Sequence, residues 1–403
     1  MTQPLDGVRI LAAEQMQALP YATQLLARMG ADVVKVEPIT GESGRGSQPS
    51  MKAPDGSSVG ATFLRNNLDK RSVAIDLRSD AGKDLFRRLV PKFDVVAENF
   101  KAGAMDRLGL GYDALAKLHP PLIYVSVSGF GNRGDSPYRD WPAYSAIVEA
   151  MSGIYEFTRR PGMAPRANPV GALGDISSGL YAVIGILTAL RHRDRTGEGQ
   201  HVDIAMYDAT VAMTDIVTGL GSMGVERLSY PAPMILDTFK TKDGWFVMQL
   251  VREHQFERLA TVVGHPEWVD DPRFATRAGW GEHLESVLRP GIEAWAAQYD
   301  KREACEHLAA AGLAVGPCLE SGDVMHEPHL EARNMLIALD RTDDVDQPVL
   351  LPGNPVKLSA VPEDEPQRPP WLGEHTADVL RDELGLDDAE IKALVADGVV
   401  SIN

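Results

Sequence analysis

Short apolar runs alternate with amphipathic stretches through the first 130 residues. The runs are rich in β-branched residues, which is typical of strands buried in a sheet. Apolar residues recur at helical spacing in Tyr21–Met29 and Asp80–Leu89, and Ser79 has the residue type of an N-cap. This alternation predicts a parallel sheet with crossover helices. The predicted strands are Val8–Leu11, Val33–Val36, Val73–Leu77, Val95–Ala97 and Ile123–Val127.

The pattern changes after residue 140. Helices are predicted over Tyr144–Tyr155 and Asp175–Arg193, followed by a strand, His201–Ala205, and a helix that ends near Thr218. The segment FKTKDGWFVMQLV predicts a hairpin that turns at residues 242–244, and amphipathic helices fill Gln255–Ala311. Further on, Val349–Leu351 and Val356–Leu358 are β-like runs between proline-rich linkers.

This organisation predicts three stretches of chain. Residues 1–220 form a large domain. Residues 221–322 form a smaller one, in which the pattern of apolar residues becomes that of amphipathic helices. Residues 323–403 are too rich in linkers to build a core of their own, so we expect them to return to the large domain.

The charge balance narrows the function classes. The 403 residues carry 40 Lys and Arg against 57 Asp and Glu, a net charge of −17, which is too acidic for a general nucleic-acid binder. From residue 319 onward there are 6 basic and 19 acidic residues, so the body of the chain is close to neutral. That body has room for a local basic pocket that takes an anionic ligand.

Several kinds of site are not expected. Two cysteines, Cys305 and Cys318, allow neither a disulfide framework nor a four-cysteine zinc site. The N-terminal residues lack a signal-peptide pattern, and the longest apolar run, Leu180–Leu190, is too short to span a membrane, so we expect a cytoplasmic protein without membrane attachment. His326 and His329 lie three residues apart without further ligands nearby, which is weak support for a metal.

Familiar catalytic motifs are also missing. The first strand-to-helix turn reads AAEQMQALP and has no G-x-G-x-x-G, so a nicotinamide or flavin site is unsupported. The chain has no H-E-x-x-H or P-loop motif either. We therefore expect neither a metal nor a redox cofactor.

Asp175 is the residue that most invites a chemical role. It lies between Gly174 and Gly179, directly before an apolar helical run. Aspartate is a preferred N-cap, and that structural interpretation needs no chemistry. In the alternative, the helix N-terminus keeps the carboxylate ionised and the flanking glycines let a substrate approach it, as a nucleophile requires. The spacing alone leaves both interpretations open.

Seven segments in order support a resemblance that runs nearly from end to end: PLDGVRIL, GADVVKVEP, NLDKRSVAIDL, DVVAENFKAGAMDRLGLGY, GALGDISSG, TGEGQHVDIAMYDA and PPWLGEHTADVL. In these segments the chain resembles the family III CoA-transferases, the group that includes formyl-CoA transferase, carnitine CoA-transferase and α-methylacyl-CoA racemase. The resemblance implies a Rossmann-like α/β large domain with a parallel sheet, a smaller α+β domain and an interlocked homodimer. It also implies acyl-CoA and a small carboxylic acid as substrates.

The same resemblance assigns roles to individual residues. Asp175 matches the family's catalytic aspartate, and Gln17 belongs to the loop that borders the acyl site. The implied catalytic residues are therefore Asp175 and Gln17. The positions implied to contact coenzyme A are Met16, Arg45, Ile75, Asn99, Phe100, Ala104, Arg107, Tyr144 and Met206. Lys70, Arg71 and Arg139 are further basic residues in or near these segments.

Two activities occur within the family. A transferase passes coenzyme A between acids through an aspartyl mixed anhydride and an aspartyl-CoA thioester. A racemase exchanges the α-hydrogen and uses a histidine at the position that Tyr144 occupies here, and tyrosine is a poor base near neutral pH. We therefore favour the transferase and keep the racemase as the alternative.

The chain departs from the family pattern at two places. The stretch TGLGSMGVERLSYPAP has no consecutive glycines, unlike the glycine-rich loop of the oxalate-dependent transferase. Tyr144-Ser145 and Glu149 stand where the family often has Tyr-Asp and a glutamine.

Overall fold

The computed structural model describes residues 3–167, 171–343 and 345–402. The chain forms two compact units. The large unit comprises residues 1–155, 166–220 and 329–403, and the small unit comprises residues 156–165 and 221–328. The large unit is therefore assembled from three separate stretches of sequence.

The strands are numbered in chain order, as follows: β1 (Arg9–Ala13), β2 (Asp32–Glu37), β3 (Ser50–Lys52), β4 (Ser58–Gly60), β5 (Lys70–Ile75), β6 (Val95–Glu98), β7 (Ile123–Ser128), β8 (Gln200–Ala205), β9 (Ile235–Lys240), β10 (Trp245–Leu250), β11 (Ala314–Pro317), β12 (Leu336–Leu339), β13 (Val349–Pro352) and β14 (Val400–Ser401).

The α-helices are numbered in the same way, as follows: α1 (Ala18–Ala27), α2 (Ala61–Leu64), α3 (Asp80–Leu89), α4 (Ala104–Arg107), α5 (Tyr112–Leu118), α6 (Ser145–Met151), α7 (Ile154–Phe157), α8 (Leu173–Thr196), α9 (Met206–Met213), α10 (Asp215–Ser222), α11 (Glu253–Val262), α12 (Arg277–Glu282), α13 (Arg289–Ala296), α14 (Lys301–Ala310), α15 (Ser321–Val324), α16 (Pro328–Ala332), α17 (Thr376–Leu384) and α18 (Asp388–Ala396). Short 3₁₀ turns lie at residues 43–46, 90–92, 266–269 and 272–274, and one π-turn lies at 284–288.

A seven-stranded sheet organises the large unit, in the order β14-β5-β2-β1-β6-β7-β8. The six neighbouring strands β5, β2, β1, β6, β7 and β8 pair in parallel, and β14 pairs with β5 in the antiparallel direction. The prediction of a parallel sheet is confirmed. Numbered in chain order, the six parallel strands have the doubly wound order 3-2-1-4-5-6, so the order in which strands are added reverses between β1 and β6. Ligands of such sheets bind outside the carboxyl ends of the strands at this reversal.

Both faces of the sheet are buried. Successive side chains of a strand point to opposite faces, so Leu11 and Ala13 join one hydrophobic cluster while Ile10 and Ala12 join the other. Helix α3 covers the first face and begins as predicted, because the Ser79 hydroxyl accepts a hydrogen bond from the Gly82 N–H. Helices α1 and α8 cover the second face. Continuous apolar runs in the strands are the consequence of this double burial.

Helix α8 is long and apolar enough to cross a membrane by length and composition. Half of its most apolar stretch is buried inside the protein, where it packs against α1, α6 and α9. That pattern of burial is typical of a core helix in a globular domain.

The small unit is built on the antiparallel sheet β11-β10-β9. The predicted hairpin is confirmed: β9 ends at Lys240, β10 begins at Trp245, and the turn lies between them. Its core gathers large aromatic side chains, including Phe239, Phe246 and Trp280. This unit therefore has a hydrophobic core of its own.

Two local predictions differ from the structure. The helix expected over Tyr144–Tyr155 is two helices, α6 and α7, since Gly153 between them takes a left-handed φ of 84°. The run Val356–Leu358 forms no strand within the described residues. Two of its three side chains, Val356 and Leu358, are exposed, so no partner surface stabilises an extended pairing there.

Six charged side chains are buried together behind the carboxyl ends of β1 and β2. They are Glu14, Lys35, Glu37, Glu42, Arg45 and Lys70, each at most 7% exposed. We call them the ionic cluster. Three carboxylates balance three cations, and the cluster is closely paired: Lys70 Nζ lies 2.7 Å from Glu14 Oε1, and the Arg45 guanidinium makes two 2.7 Å hydrogen bonds to Glu37.

Pairing overcomes the cost of burial in this cluster. Burial alone raises the pKa of the Glu37 carboxyl, but the hydrogen bonds and charge of Arg45 outweigh it and hold that pKa below its ordinary value. For Lys70, burial dominates and lowers the pKa of the ammonium to about 8, while Glu14 acts in the opposite direction. Each buried charge therefore depends on a partner, and the removal of one partner leaves the other uncompensated.

We predict that Lys70→Met destabilises the large unit strongly. The substitution leaves the Glu14 carboxylate buried and without its 2.7 Å partner, which costs about 3–5 kcal/mol. The free energy of unfolding in urea measures the loss, and Lys117→Met on the exposed surface of α5 is the matched control. A change of less than about 0.5 kcal/mol, as expected for an ordinary surface substitution, would show that the cluster does not stabilise the fold.

Candidate active site

A cavity of about 500 Å³ opens where the strand order of the sheet reverses, between β1 and β6. Its walls are formed by the loops that follow β1, β6 and β7, by α2 with the adjoining Arg65, and by the first turns of α8 and α9. Its lining residues are Gln15, Met16, Gln17, Ala18, Thr62, Arg65, Asn99, Phe100, Lys101, Ala102, Val127, Ser128, Gly129, Arg139, Trp141, Pro142, Ala143, Tyr144, Asp175 and Met206. The cavity occupies the place where doubly wound sheets bind ligands.

The loop after β1 is held in one conformation by two side chains. The Asn99 amide accepts from the Gln15 N–H and donates to the Gln15 carbonyl, both at 2.9 Å. The Met16 N–H donates to Glu42 of the ionic cluster at 3.1 Å. Met16 itself has a left-handed φ of 60°, an uncommon conformation for a non-glycine residue. The surrounding hydrogen bonds support this conformation.

Asp175 lies in the first turn of α8 and is not its N-cap, so the structural interpretation of this residue is wrong. The helix begins at Leu173, and the N-cap residue Ala172 has a φ of 58° and no side chain that caps the helix. The capping group comes from α6 instead: Ser145 Oγ accepts from the Gly174 N–H at 2.7 Å and donates to Glu149 Oε1 at 2.6 Å. The Asp175 carboxylate is therefore not used for capping.

The two glycines beside Asp175 serve helix packing, which corrects the expectation that they admit a substrate. A Cβ at Gly174 would lie 2.8 Å from Val148 Cγ2 of α6, and one at Gly179 would lie 2.7 Å from the Ala18 carbonyl oxygen. Both contacts are too close for a side chain to fit. The glycines thus bring α8 against α6 and against the start of α1, and this close approach sets Asp175 beside the loop after β1.

The surroundings of Asp175 raise its pKa to about 6. Burial is the main cause, and the nearby Glu149 carboxylate adds to it, while the positive charge of Arg65 lowers the pKa. Glu149 is 2% exposed and accepts hydrogen bonds from Ser145 and from the Tyr155 hydroxyl. Asp175 remains mostly ionised at neutral pH and is more basic than an ordinary aspartate.

The cavity gathers most of the residues singled out from the sequence. Asp175 shares it with Gln17, whose side-chain Oε1 accepts a hydrogen bond from Arg65. The other predicted residues in its lining are Met16, Asn99, Phe100, Tyr144 and Met206. Tyr144 is 77% exposed, whereas Met206 is buried.

Four predicted positions lie outside this lining. Ile75 is buried in the core and pairs with Val400 of β14. Ala104 and Arg107 lie on α4, next to the Phe100–Ala102 wall, and Arg107 is exposed. Arg45 belongs to the ionic cluster, where Glu37 and the Pro370 carbonyl take its hydrogen bonds. Arg45 is 7% exposed and its guanidinium is already paired, so the expectation that it meets a phosphate is not supported.

The sequence assigns no role to three cationic residues of the lining, which are Arg65, Lys101 and Arg139. In the sequence, Arg139 is one of several basic residues near the family motifs, and of these Lys70 and Arg71 pair internally with Glu14 and Asp32. Arg65 directly follows the four-residue helix α2, and no sequence pattern marks it. Only the fold shows which basic residues pair inside the protein and which face the cavity.

Within the described residues, no group of three or more His, Cys, Asp or Glu side chains is arranged to hold a metal ion. His326 and His329 belong to this search, and they have no further ligand beside them.

Comparison with known proteins places the chain among enzymes that handle coenzyme A. The family model described as CoA-transferase family III matches residues 5–376. A formyl-CoA:oxalate CoA-transferase from Streptomyces avermitilis is 34% identical over 426 residues, covering 99% of this chain and 100% of that one. A succinyl-CoA–L-malate CoA-transferase beta subunit from Chloroflexus aurantiacus is 33% identical over 409 residues, covering 99% and 98%.

The fold agrees with that of a solved structure whose sequence identity to this chain is similar to that of the two relatives. A CAIB/BAIF family protein from Brucella suis has a TM-score of 0.84 and 33% sequence identity, and the match covers 95% of this chain and 100% of that one. The likeness therefore extends over both compact units.

We predict that Glu149→Gln lowers the pKa of Asp175 below about 6. The substitution removes the neighbouring negative charge and keeps an amide oxygen that accepts from Ser145, so the pKa of Asp175 shifts downward, toward the ordinary value of an aspartate. Arg65→Met removes a positive charge and shifts the pKa upward. Carbon-13 NMR titration of the aspartate carboxyl groups, with Asp175 assigned by its loss in Asp175→Asn, measures both shifts.

Glu198→Gln, beyond the far end of α8, is the matched control and leaves the titration of Asp175 in place. An unchanged pKa in Glu149→Gln would show that Glu149 does not contribute to the basicity of Asp175.

Proposed function

This chain belongs to CoA-transferase family III and is a CoA-transferase enzyme, and we propose that it moves coenzyme A from an acyl-CoA donor to a carboxylic acid acceptor by way of Asp175. One observation carries the proposal. Among the described residues that line the 500 Å³ cavity, Asp175 is the single carboxylate, and its pKa of about 6 suits an ionised and unusually basic nucleophile.

The proposed reaction begins when the Asp175 carboxylate attacks the thioester carbonyl of the donor. The carbon–sulfur bond breaks, which leaves an acyl-aspartyl mixed anhydride and the CoA thiolate. The thiolate then attacks the aspartyl carbonyl, releases the donor acid as a carboxylate and forms an aspartyl-CoA thioester. The acceptor carboxylate attacks this thioester in turn, and the thiolate finally takes the acyl group from the second anhydride. No net proton is consumed, and the Asp175 carboxylate is regenerated.

Every step passes through a tetrahedral oxyanion, which needs hydrogen-bond donors beside Asp175. Gln17 is the proposed donor from a side chain. Its Oε1 accepts from Arg65, so the NH₂ end of the same amide is the one that can donate to a carbonyl oxygen. Gln17 and Ala18 also lie at the N-terminus of α1, where backbone N–H groups lack partners within the helix.

The remaining cavity residues are proposed to hold the coenzyme. Asn99, Phe100, Met206, Tyr144 and Met16 are proposed to contact the pantetheine arm and the thiol end. The phosphates need cations, which Arg139 and Lys101 in the lining supply together with Arg107 on the neighbouring α4. Ile75 and Ala104 remain proposed contacts through the family resemblance. Arg45 is not proposed, because Glu37 holds its guanidinium.

The racemase alternative is not supported. The two relatives described above are named as transferases. Among the described lining residues there is no histidine that could act as a base opposite Asp175.

We propose that Asp175→Asn abolishes transfer and leaves coenzyme A binding intact. The amide nearly matches the carboxylate in size but is a far weaker nucleophile, so we expect a loss of activity of at least ~10³-fold. Isotope exchange between a free acid and its thioester measures transfer, and calorimetry measures coenzyme A affinity. Asp208→Asn, on the neighbouring helix α9, is the matched control.

The covalent intermediate gives an independent measurement. Hydroxylamine added during turnover attacks an activated Asp175 and leaves a hydroxamate in the peptide 167–191. Substantial transfer by Asp175→Asn, together with an unlabelled peptide in the natural protein, would contradict the mechanism.

We further propose that the protein works as a homodimer with interlocked chains. Leu180, Ile184 and Leu187 form one apolar stripe on α8, and each is at least 37% exposed. No residue of α10 is buried, although this helix contains Ile216 and Leu220. Such helix faces are costly in water and are typical of subunit interfaces.

Light scattering should therefore give a mass close to twice that of the 43.8 kDa chain. Ile184→Glu places a charge in the stripe and is expected to shift the mass toward one chain, while Glu198→Gln leaves it unchanged. A monomer in the natural protein at micromolar concentration would contradict the dimer.

A further inference from the structure

The cavity is unusual in its charge. Arg65, Lys101 and Arg139 line it together with the single carboxylate of Asp175. Among the described residues, none of the three cations forms an ion pair with an acidic side chain, although the chain as a whole has a net charge of −17. The cavity therefore holds more positive charge than its own residues neutralise, which favours anionic ligands.

The cations lie on different walls. Lys101 follows Asn99 and Phe100 in the loop after β6, and Arg139 belongs to the segment between β7 and α6. Arg65 lies at the end of α2, on the side of the cavity where the loop after β1 meets α8. It donates to the Gln17 side chain, and its charge acts on Asp175. Of the three, Arg65 is the one coupled to the proposed nucleophile.

Arg65 is not expected to bind the phosphates of coenzyme A. The charge of Arg65 acts on Asp175, and Coulomb interactions in a partly exposed site are significant only within several ångströms. Its guanidinium therefore lies near the carbon that Asp175 attacks in the proposed reaction. The bond that Asp175 attacks joins the acyl carbon to sulfur, and the coenzyme extends away from it. A cation on the acyl side of this bond is therefore placed to contact the acid that is being transferred. The planar guanidinium is suited to bind a carboxylate through two parallel hydrogen bonds.

We propose that Arg65 binds the distal carboxylate of the transferred acid, so that the substrates are short-chain dicarboxylic acids and their mono-CoA thioesters. This inference rests on the proposed function. Gln17 shares in the arrangement, because its hydrogen bond to Arg65 fixes one end of the guanidinium and leaves the other N–H groups for the substrate. An uncharged methyl terminus at the same place makes no such contact.

The selectivity between succinate and butyrate tests this proposal, because the two acids have equal chain length and differ in the terminal carboxylate. The assay follows exchange of labelled succinate into succinyl-CoA and of labelled butyrate into butyryl-CoA, so no third acid is needed. It is run at pH 8, well above the pKa of about 6 of Asp175, to limit the effect of the upward shift expected in Arg65→Met. The natural protein is expected to exchange succinate with a kcat/KM about 10- to 100-fold above that of butyrate.

Arg65→Met is expected to remove most of this preference, and Arg65→Lys to retain part of it as a point charge. Arg139→Met is the matched control. Its proposed contact is with the coenzyme, so it lowers both exchange rates in the same proportion and leaves the succinate-to-butyrate ratio unchanged. Equal exchange of the two acids by the natural protein, or an unchanged ratio in Arg65→Met, would overturn the proposal.

A binding measurement separates this inference from the proposed function. Calorimetry on Asp175→Asn compares succinyl-CoA with butyryl-CoA, with and without Arg65→Met. If Arg65 binds the distal carboxylate, succinyl-CoA binds about tenfold or more tightly than butyryl-CoA, and Arg65→Met removes the difference. If Asp175→Asn shows this binding preference but the natural protein exchanges neither acid, the result contradicts the proposed transfer and leaves the role of Arg65 in place. If the natural protein exchanges both acids but succinyl-CoA binds no more tightly than butyryl-CoA, the result contradicts the role of Arg65 and leaves the proposed transfer in place.

Discussion

The ionic cluster is the constraint on which the cavity depends. Charges buried at this depth must meet partners at short range, or the protein would lose several kcal/mol for each. Glu42 joins the loop after β1 to the cluster through the Met16 N–H, and Lys35 contacts the Glu14 carbonyl. Arg45 reaches the Pro370 carbonyl, far along the sequence. Electrostatic pairing thus fixes a loop that has neither glycines nor regular structure.

The same fold treats buried and cavity-facing charges in opposite ways. In the cluster, every cation has a carboxylate within 3.6 Å. Around Asp175, burial and Glu149 raise the pKa of the carboxyl to about 6 from an ordinary value of 3.8. The folded state therefore binds this proton more tightly than the unfolded state, and the contribution of Asp175 to stability falls as the pH rises through that interval. A basic nucleophile at neutral pH is obtained at the expense of stability.

The sequence predicts the framework well because that framework depends on local patterns. Strands such as Val33–Val36 and helices such as Asp80–Leu89 follow from periodicity. The N-cap role of Ser79 follows from its residue type. The cavity depends on pairings between distant residues, which no local pattern reveals. Arg45 and Arg65 are both basic residues near family motifs, yet one is paired with Glu37 and the other faces the cavity. Likewise, the cap of α8 comes from Ser145, which is 29 residues away from Gly174.

Strand β14 adds a consequence for how the protein is made. It covers the edge of β5 by antiparallel pairing, and the ribosome synthesises it long after β5 has emerged. Until then β5 is an open edge, the kind of surface on which other chains add strands. The small unit, whose sequence interrupts the large one, is completed during this interval and can fold first. Nascent chains that stall before β14 are therefore the population most exposed to aggregation and most in need of chaperones.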